Sequence, residues 1–289
     1  MVTDFGLFQT GSPKMLKVLE MAQSVALTPA PVLISGEQGV GKSLLIQMIL
    51  EKSRFQKNFH RWSPFSRLSA STLSELKSGD AVVVEDLDQF NLLQQSEVSE
   101  CIDWAKAQGL QIRWFATSTS EPSELARQGQ LRKDLFYRLS VIHLQIPCLR
   151  VRDGDIGVLS QFFVQVFSLM KSQPAKEISA EAKMKLIAYS WPGNVAELEN
   201  VIERAVSLTA GAVITAEAIQ FAEMEKSSVA LMGTTLSDME KKLILQTLQI
   251  TQQNKTRAAQ MLGISIRTLR NKLNEYRESG QSSILGGAI

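Results

Sequence analysis

Gly36-Glu37-Gln38-Gly39-Val40-Gly41-Lys42-Ser43 reads G-x-x-x-x-G-K-S, and the rest of the 289-residue chain is organised around it. The apolar run Val32-Leu33-Ile34 precedes it, and Leu44-Leu45-Ile46-Gln47-Met48-Ile49-Leu50 follows with room for a helix. Strand, glycine-rich loop and helix make the context in which this pattern holds phosphate. The glycines let the backbone curl so that several N–H groups point inward, and the helix N-terminus adds partial positive charge. Lys42 is expected to reach the terminal phosphates, and the Ser43 hydroxyl to face Mg²⁺. The bland alternative is a glycine-rich turn that happens to carry Lys-Ser.

The bulk composition limits the remaining possibilities. A chain of this length implies two or three domains and an ample core. Its hydrophobic fraction of 44% and charged fraction of 21% are those of a soluble globular protein. Net charge is only +2, so any affinity for nucleic acid has to come from a local basic patch. The two cysteines, Cys101 and Cys148, lie far apart. They form neither a disulfide framework nor a metal-ligand cluster, which fits a reducing cytoplasm. The opening Met1-Val2-Thr3-Asp4 lacks the features of a signal peptide, and no apolar run is long enough to span a bilayer. A cytoplasmic location without membrane contact is expected.

Along the chain, helix and strand signals alternate over residues 1–150. Met15, Val18, Leu19, Ala22 and Val25 mark a first helix after Gly11-Ser12-Pro13, and Pro29-Ala30-Pro31 ends it. Residues 51–80 form a polar connector with a short strand expected near Phe65–Leu68. Ala81-Val82-Val83-Val84 then reads as a buried parallel strand ending in Glu85-Asp86, where phosphate-loop enzymes keep their Mg²⁺-directing acid. An ordinary core strand followed by an acidic turn is the alternative. A helix over roughly Gln94–Gln108 leads to a third strand, Ile112–Ala116, that ends in Thr117-Ser118-Thr119 beside the expected phosphates. Leu131–Arg138 precedes a fourth strand, Val141–Ile146. The pattern predicts a doubly wound α/β domain with a parallel sheet.

From Gly154 the pattern becomes wholly helical, giving a small helical domain over 151–223. In it Asn194 is expected to cap the helix that carries Leu198, Val201, Ile202 and Ala205. Residues 224–234 read as a linker, 235–278 as an all-α DNA-binding domain, and 279–289 as a loose tail. Within the third domain Leu236, Met239, Leu243, Leu245 and Leu248 mark a first helix. Thr256–Leu262, the turn Gly263-Ile264 and Ser265–Tyr276 then make a helix-turn-helix candidate. Ser265, Arg267, Thr268, Arg270, Asn271 and Lys272 lie at the start of its second helix, where such residue types reach phosphates and base edges of double-stranded DNA. The alternative is a basic surface helix.

Taken together these pieces resemble the AAA+ bacterial enhancer-binding proteins, activators that use ATP to remodel sigma-54 RNA polymerase. The resemblance spans nearly the whole chain. It rests on Val32–Glu37 leading into the phosphate loop, on Leu131–Leu139, on Ile146-Pro147-Cys148-Leu149-Arg150, and on Trp191-Pro192-Gly193-Asn194-Val195 with Glu197-Leu198-Glu199-Asn200. Asn254–Tyr276 is similar to the Fis-type helix-turn-helix, and Gly263–Leu273 to its wording in flagellar-gene regulators. The resemblance implies ATP and Mg²⁺ as cofactors. It places the nucleotide against Gly36, Glu37, Gln38, Gly39, Val40, Gly41, Lys42, Ser43, Leu44 and Ser118, and the metal against Ser43 and Glu85. Glu85 and Asp86 would be the hydrolytic acids, and Arg132 and Arg138 the arginine fingers that reach a neighbour's γ-phosphate.

The departures from the family pattern generate expectations of their own. The family's Gly-Ala-Phe-Thr-Gly-Ala loop, which contacts sigma-54, has no equivalent in residues 51–80. The family's Asp-Glu is here Glu85-Asp86, which puts the longer acid at the metal and the shorter one at the water. Ser118 and Ser69 stand where the family has Asn, and Ala196 where its lid has Arg. No receiver or ligand-sensing domain is expected before the phosphate loop. The expectation is an operator-specific DNA-binding regulator, dimeric or ring-forming, that binds ATP, hydrolyses it weakly or not at all, and does not open sigma-54 promoters alone. Alternatively it co-assembles with a full-length activator paralogue, or it is an active ATPase in which the two acids exchange roles.

Overall fold

Three apolar runs build the centre of a five-stranded parallel sheet. β1 (Val32–Ser35), β3 (Ala81–Val84) and β4 (Arg113–Ser118) are buried at every residue. With β2 (Phe59–Trp62) and β5 (Ile142–Gln145) they form the order β2-β3-β4-β1-β5. Continuous burial is what a parallel sheet covered on both faces demands. Period-two alternation then sorts the side chains. Val32, Ile34, Ala81, Val83 and Phe115 pack towards α1 (Pro13–Ala26) and α2 (Lys42–Glu51). Leu33, Val82, Val84, Trp114 and Ala116 pack on the other face. There they meet α3 (Leu92–Ala107), α4 (Pro122–Arg127) and α5 (Lys133–Leu139).

Arg113 breaks the apolar run of β4, and its surroundings explain why it is tolerated. Its guanidinium is buried and donates to the carbonyls of Thr28 and, at 3.0 Å, Val25 at the C-terminal end of α1. A cation there meets the negative end of the helix dipole. Burial pushes its pKa down to about 10, which leaves it cationic at neutral pH.

Beyond β5 the chain is helical: α6 (Asp155–Met170), α7 (Ala180–Ala188) and α8 (Asn194–Leu208) enclose a separate core around Trp191, Leu198, Ile202 and Phe163. It is not wholly helical, however. β6 (Glu177–Ile178) and β7 (Val213–Ile214) form a small parallel pair that ties the α6–α7 connection to the segment after α8. Two-residue strands carry too little periodicity to be read from sequence.

A computed structural model describes residues 8–55, 58–65, 74–221, 240, 244, 247–248, 251 and 254–278. It divides into two units, Met1–Phe221 and Ala222–Ile289. β2 was not expected from the sequence; of the strand expected near Phe65–Leu68, residues 66–68 lie outside the described ones, as do Ser69, the linker 224–234 and the tail 279–289. In the second unit α9 (Lys255–Met261) and α10 (Ile266–Glu278) pack through Ala258, Ala259 and Leu269 against Ile244 and Leu248. Gly263 turns the chain between them with φ +67°, a conformation that glycine adopts without strain. Of the first helix expected in this unit, residues 240, 244, 247 and 248 are described, all helical; Leu236, Met239, Leu243 and Leu245 are not. Among the described residues no helix is long and apolar enough to cross a membrane.

Candidate functional site

The loop after β1 has the geometry its glycines dictate. Gly36, Gly39 and Gly41 all take positive φ, at 152°, 76° and 103°. The Gly36 N–H donates to the Ser118 carbonyl at 3.1 Å, which ties the loop to the end of β4. Gly39 is also sterically required: a β-carbon there would lie 2.2 Å from the Gly193 carbonyl oxygen. Lys42 folds back over the loop and donates to the carbonyls of Gly36 (2.7 Å) and Glu37 (3.2 Å). Burial lowers its pKa, while the charges of Asp86 and Asp88 favour its cation.

The helical domain grips this loop from above. The Asn194 amide donates to Glu37 Oε2 (3.1 Å) and the Gln38 carbonyl (2.9 Å), and its oxygen accepts from the Leu149 N–H (2.8 Å). Asn194 therefore does not cap α8, as the sequence led us to expect. Gly193 holds the cap position without a side-chain bond, and Asn194 turns left-handed at φ 54° so that its amide faces the loop. The Ala196 N–H donates to the Gly39 carbonyl at 3.2 Å, and Arg152 donates to the Val40 carbonyl at 2.9 Å. Arg150 forms a two-pronged pair with Glu37 at 2.8 and 2.5 Å. That guanidinium holds the Glu37 carboxyl down at about 2.

Between loop and helical domain lies a cavity of about 470 Å³. Gln38, Gly39, Val40, Gly41, Lys42, Ser43 and Leu44 form its polar floor, with Asp86 beside them. Phe8, Leu159, Phe162, Phe163 and Val195 give it an apolar wall, and Ala196 and Glu199 face it from α8. Polar floor and apolar wall suit a phosphate chain attached to a flat ring. The Ser43 hydroxyl and the Asp86 carboxylate are hard oxygen donors beside a phosphate loop, a set that fits Mg²⁺, which takes one or two protein ligands plus phosphates. Among the described residues no cluster of three or more His, Cys, Asp or Glu side chains gathers for a different metal.

The structure separates the two acids at the end of β3. Glu85 pairs with Arg61 on β2 at 3.2 Å, and its N–H continues the sheet ladder to the Trp62 carbonyl. It does not line the cavity. Asp86 does; it adopts φ 53°, and its N–H donates to Thr117 Oγ1 at 2.9 Å. Asp88 accepts from the N–H (3.0 Å) and hydroxyl of Thr119. Ser118 is buried, and its hydroxyl donates to the Ser120 carbonyl at 2.7 Å. Arg132 is held by Asp134 (3.0 and 2.8 Å) and by Ser96, and Arg138 by Asp103. Both arginines are more than a third exposed.

In the second unit Ser265 caps α10 by accepting from the Thr268 N–H at 3.0 Å. Arg267, Thr268, Arg270 and Asn271 are exposed around the start of that helix. Lys272 is partly withdrawn, with its ammonium on Glu240 at 2.8 Å.

Sequence reasoning missed Arg61, Asp88, Arg152 and the roles of Arg150 and Asn194. Asp88 carried a usable signal, an acid two residues beyond Asp86. The others act through contacts between segments some 24 to 157 residues apart, which no local pattern encodes.

Comparison with known proteins places this geometry. Residues 10–149 match the model of the Sigma-54 interaction domain, residues 150–232 the AAA+ ATPase lid domain, and residues 235–276 the bacterial regulatory proteins of the Fis family. The chain is 34% identical to the transcriptional regulatory protein FlbD of Caulobacter vibrioides, over 93% of this chain and 70% of FlbD. It is 31% identical to the regulatory protein AtoC of Escherichia coli, over 94% of this chain and 68% of AtoC. In fold it resembles NtrX from Brucella abortus, solved in complex with ATP, with a TM-score of 0.65 at 22% identity over 93% of this chain and 69% of that one. The phosphate loop, the helical lid gripping it and the Fis-type helix-turn-helix thus occur together in known regulators: the chain belongs to the family of sigma-54-interacting AAA+ transcriptional regulators.

Proposed function

We propose that this regulator binds ATP with Mg²⁺ in the cavity over Lys42 and Ser43, hydrolyses it poorly, and recognises a specific operator through α10. On this reading it acts in the cytoplasm as a dimer or ring and does not open sigma-54 promoters on its own. The observation that carries the reading is the fate of the acid pair: Glu85 is tied to Arg61, so a single short carboxylate, Asp86, faces the phosphate loop. Ala196 supports it, because the lid presents a methyl group to the cavity where a cation would stabilise charge on a departing phosphate. The alignment with FlbD spans 317 positions, more than the 289 residues of this chain, so FlbD carries residues with no counterpart here. Flagellar genes are the first place to seek its operators, given the wording of Gly263–Leu273.

ATP binding and steady-state turnover by the purified chain test this reading, with Lys42→Ala as control. We expect binding that the control loses, and turnover at least about a hundredfold below the usual 1–10³ s⁻¹ range. Ordinary turnover abolished by Lys42→Ala would mean that Asp86 alone sustains hydrolysis.

A second reading has its own support. Arg132 is held by the exposed Asp134 and by Ser96, and Arg138 by the exposed Asp103, and ion pairs in water are weak enough to be exchanged for a phosphate. The chain then offers both arginines to the site of a full-length activator paralogue. Co-purification with that paralogue in the presence of ATP checks it, and no heteromer with or without nucleotide removes it.

A further inference from the structure

We propose that Asp86, and not Glu85, is the carboxylate that holds Mg²⁺ at the nucleotide site, with Asp88 bracing the neighbouring strand end and Glu85 withdrawn into a structural ion pair with Arg61. This assignment rests on the nucleotide reading given above. It inverts the expectation from residue order, which put the metal on the first acid after the strand.

Glu85 remains inside the β2–β3 ladder: its N–H donates to the Trp62 carbonyl at 2.7 Å, and its side chain runs sideways to Arg61 on the edge strand. Reaching the cavity would require breaking that pair and turning the strand end. Asp86 is the first residue to leave the ladder. It does so through a left-handed turn, φ 53°, that Asp tolerates better than most residues. Thr117 on β4 fixes the turn by accepting the Asp86 N–H at 2.9 Å. The turn brings Asp86 to the cavity wall with Lys42 and Ser43.

Asp88 completes the arrangement from behind. Its carboxylate holds both the N–H and the hydroxyl of Thr119, which ties the turn after β3 to the end of β4. Its charge and that of Asp86 both favour the Lys42 cation. The remaining carboxylate on the cavity wall is Glu199, which comes from the lid helix α8 and is exposed. It provides an internal control, because it shares the cavity without sharing the strand end.

The test reads metal dependence of binding rather than turnover. Equilibrium affinity for the non-hydrolysable ATP analogue adenylyl imidodiphosphate is measured by calorimetry, once with Mg²⁺ and once with EDTA. For the unsubstituted chain we expect Mg²⁺ to tighten binding about tenfold or more. Asp86→Asn should reduce that ratio to near one while still binding in EDTA, which also shows that the variant is folded. Glu85→Gln, Arg61→Ala and Glu199→Gln should keep the full ratio. Loss of the ratio in Glu85→Gln, its retention in Asp86→Asn, or a ratio near one in the unsubstituted chain would each overturn the assignment. Failure of the unsubstituted chain to bind the analogue under either condition would instead remove the nucleotide reading itself.

Discussion

At the scale of single residues, four non-glycine positions among the described residues take positive φ, and three of them, Asp86, Trp191 and Asn194, stand at the cavity over the phosphate loop or on the lid turn that meets it. Such backbone costs about 1–3 kcal/mol at each position and persists where surrounding contacts over-determine it. For Asn194 those contacts are three hydrogen bonds to Glu37, Gln38 and Leu149, made by a fully buried side chain. Glu37 links the same network to Arg150, and its depressed pKa gives a signed prediction. A carboxyl held at about 2 in the folded chain, against its usual value of 4.5, stabilises the fold fully above pH 4.5 and loses that contribution as pH falls towards 2. The pair is partly exposed, so solvent screening limits its worth to about 1 kcal/mol. We therefore expect Glu37→Gln to cost about that much at pH 7 and progressively less below pH 4.5, as read from urea unfolding at several pH values. A cost independent of pH would show that the Glu37 charge does not hold the latch.

At the scale of elements, what could be read from the sequence follows burial. β1, β3 and β4 announced themselves because both faces of a central parallel strand must be apolar. β2, with Phe59-His60-Arg61-Trp62, did not: it is an edge strand, exposed at Phe59 and Arg61, and its pattern resembles a polar loop. The helix-turn-helix was legible from Gly263 and the apolar spacing, and its core is small enough to be fragile. Leu269 is fully buried against Ile244, Leu248 and Ala259. Leu269→Ala should cost about 2–5 kcal/mol, most of what a domain of this size has to spare. We expect it to lower affinity for duplex DNA at low salt at least about tenfold while leaving nucleotide affinity unchanged, as measured by fluorescence anisotropy and calorimetry. Loss of nucleotide binding as well would show that the two units depend on each other for stability.

At the scale of the whole molecule, one unit carries the phosphate loop and its lid, and the other the helix-turn-helix. The first unit has a cavity over its phosphate loop and, on the function we propose, a short connector where the family keeps its polymerase-contacting loop. Promoter opening on a sigma-54 template by this protein alone should therefore be absent, even with saturating ATP and an operator placed upstream. Permanganate footprinting of the start site checks it, and an open complex formed without any partner would show that another surface contacts the polymerase.

The sequence by itself determined the parallel α/β sheet, the phosphate loop, the helical lid and the DNA-binding helices. Each is written in local currency: glycine spacing, apolar periodicity and turn residues. It also displayed the inverted order Glu85-Asp86. Only the tertiary structure decided which of the two acids lines the cavity. Whether an acid at a strand end faces the phosphate loop depends on the partner across the next strand and on the turn that follows. Arg61 and Thr117, 24 residues before Glu85 and 31 after Asp86, settle both. The grip of Asn194 and Arg150 on the phosphate loop is likewise a product of the packed chain, because hydrogen bonds between distant segments leave no period in the sequence.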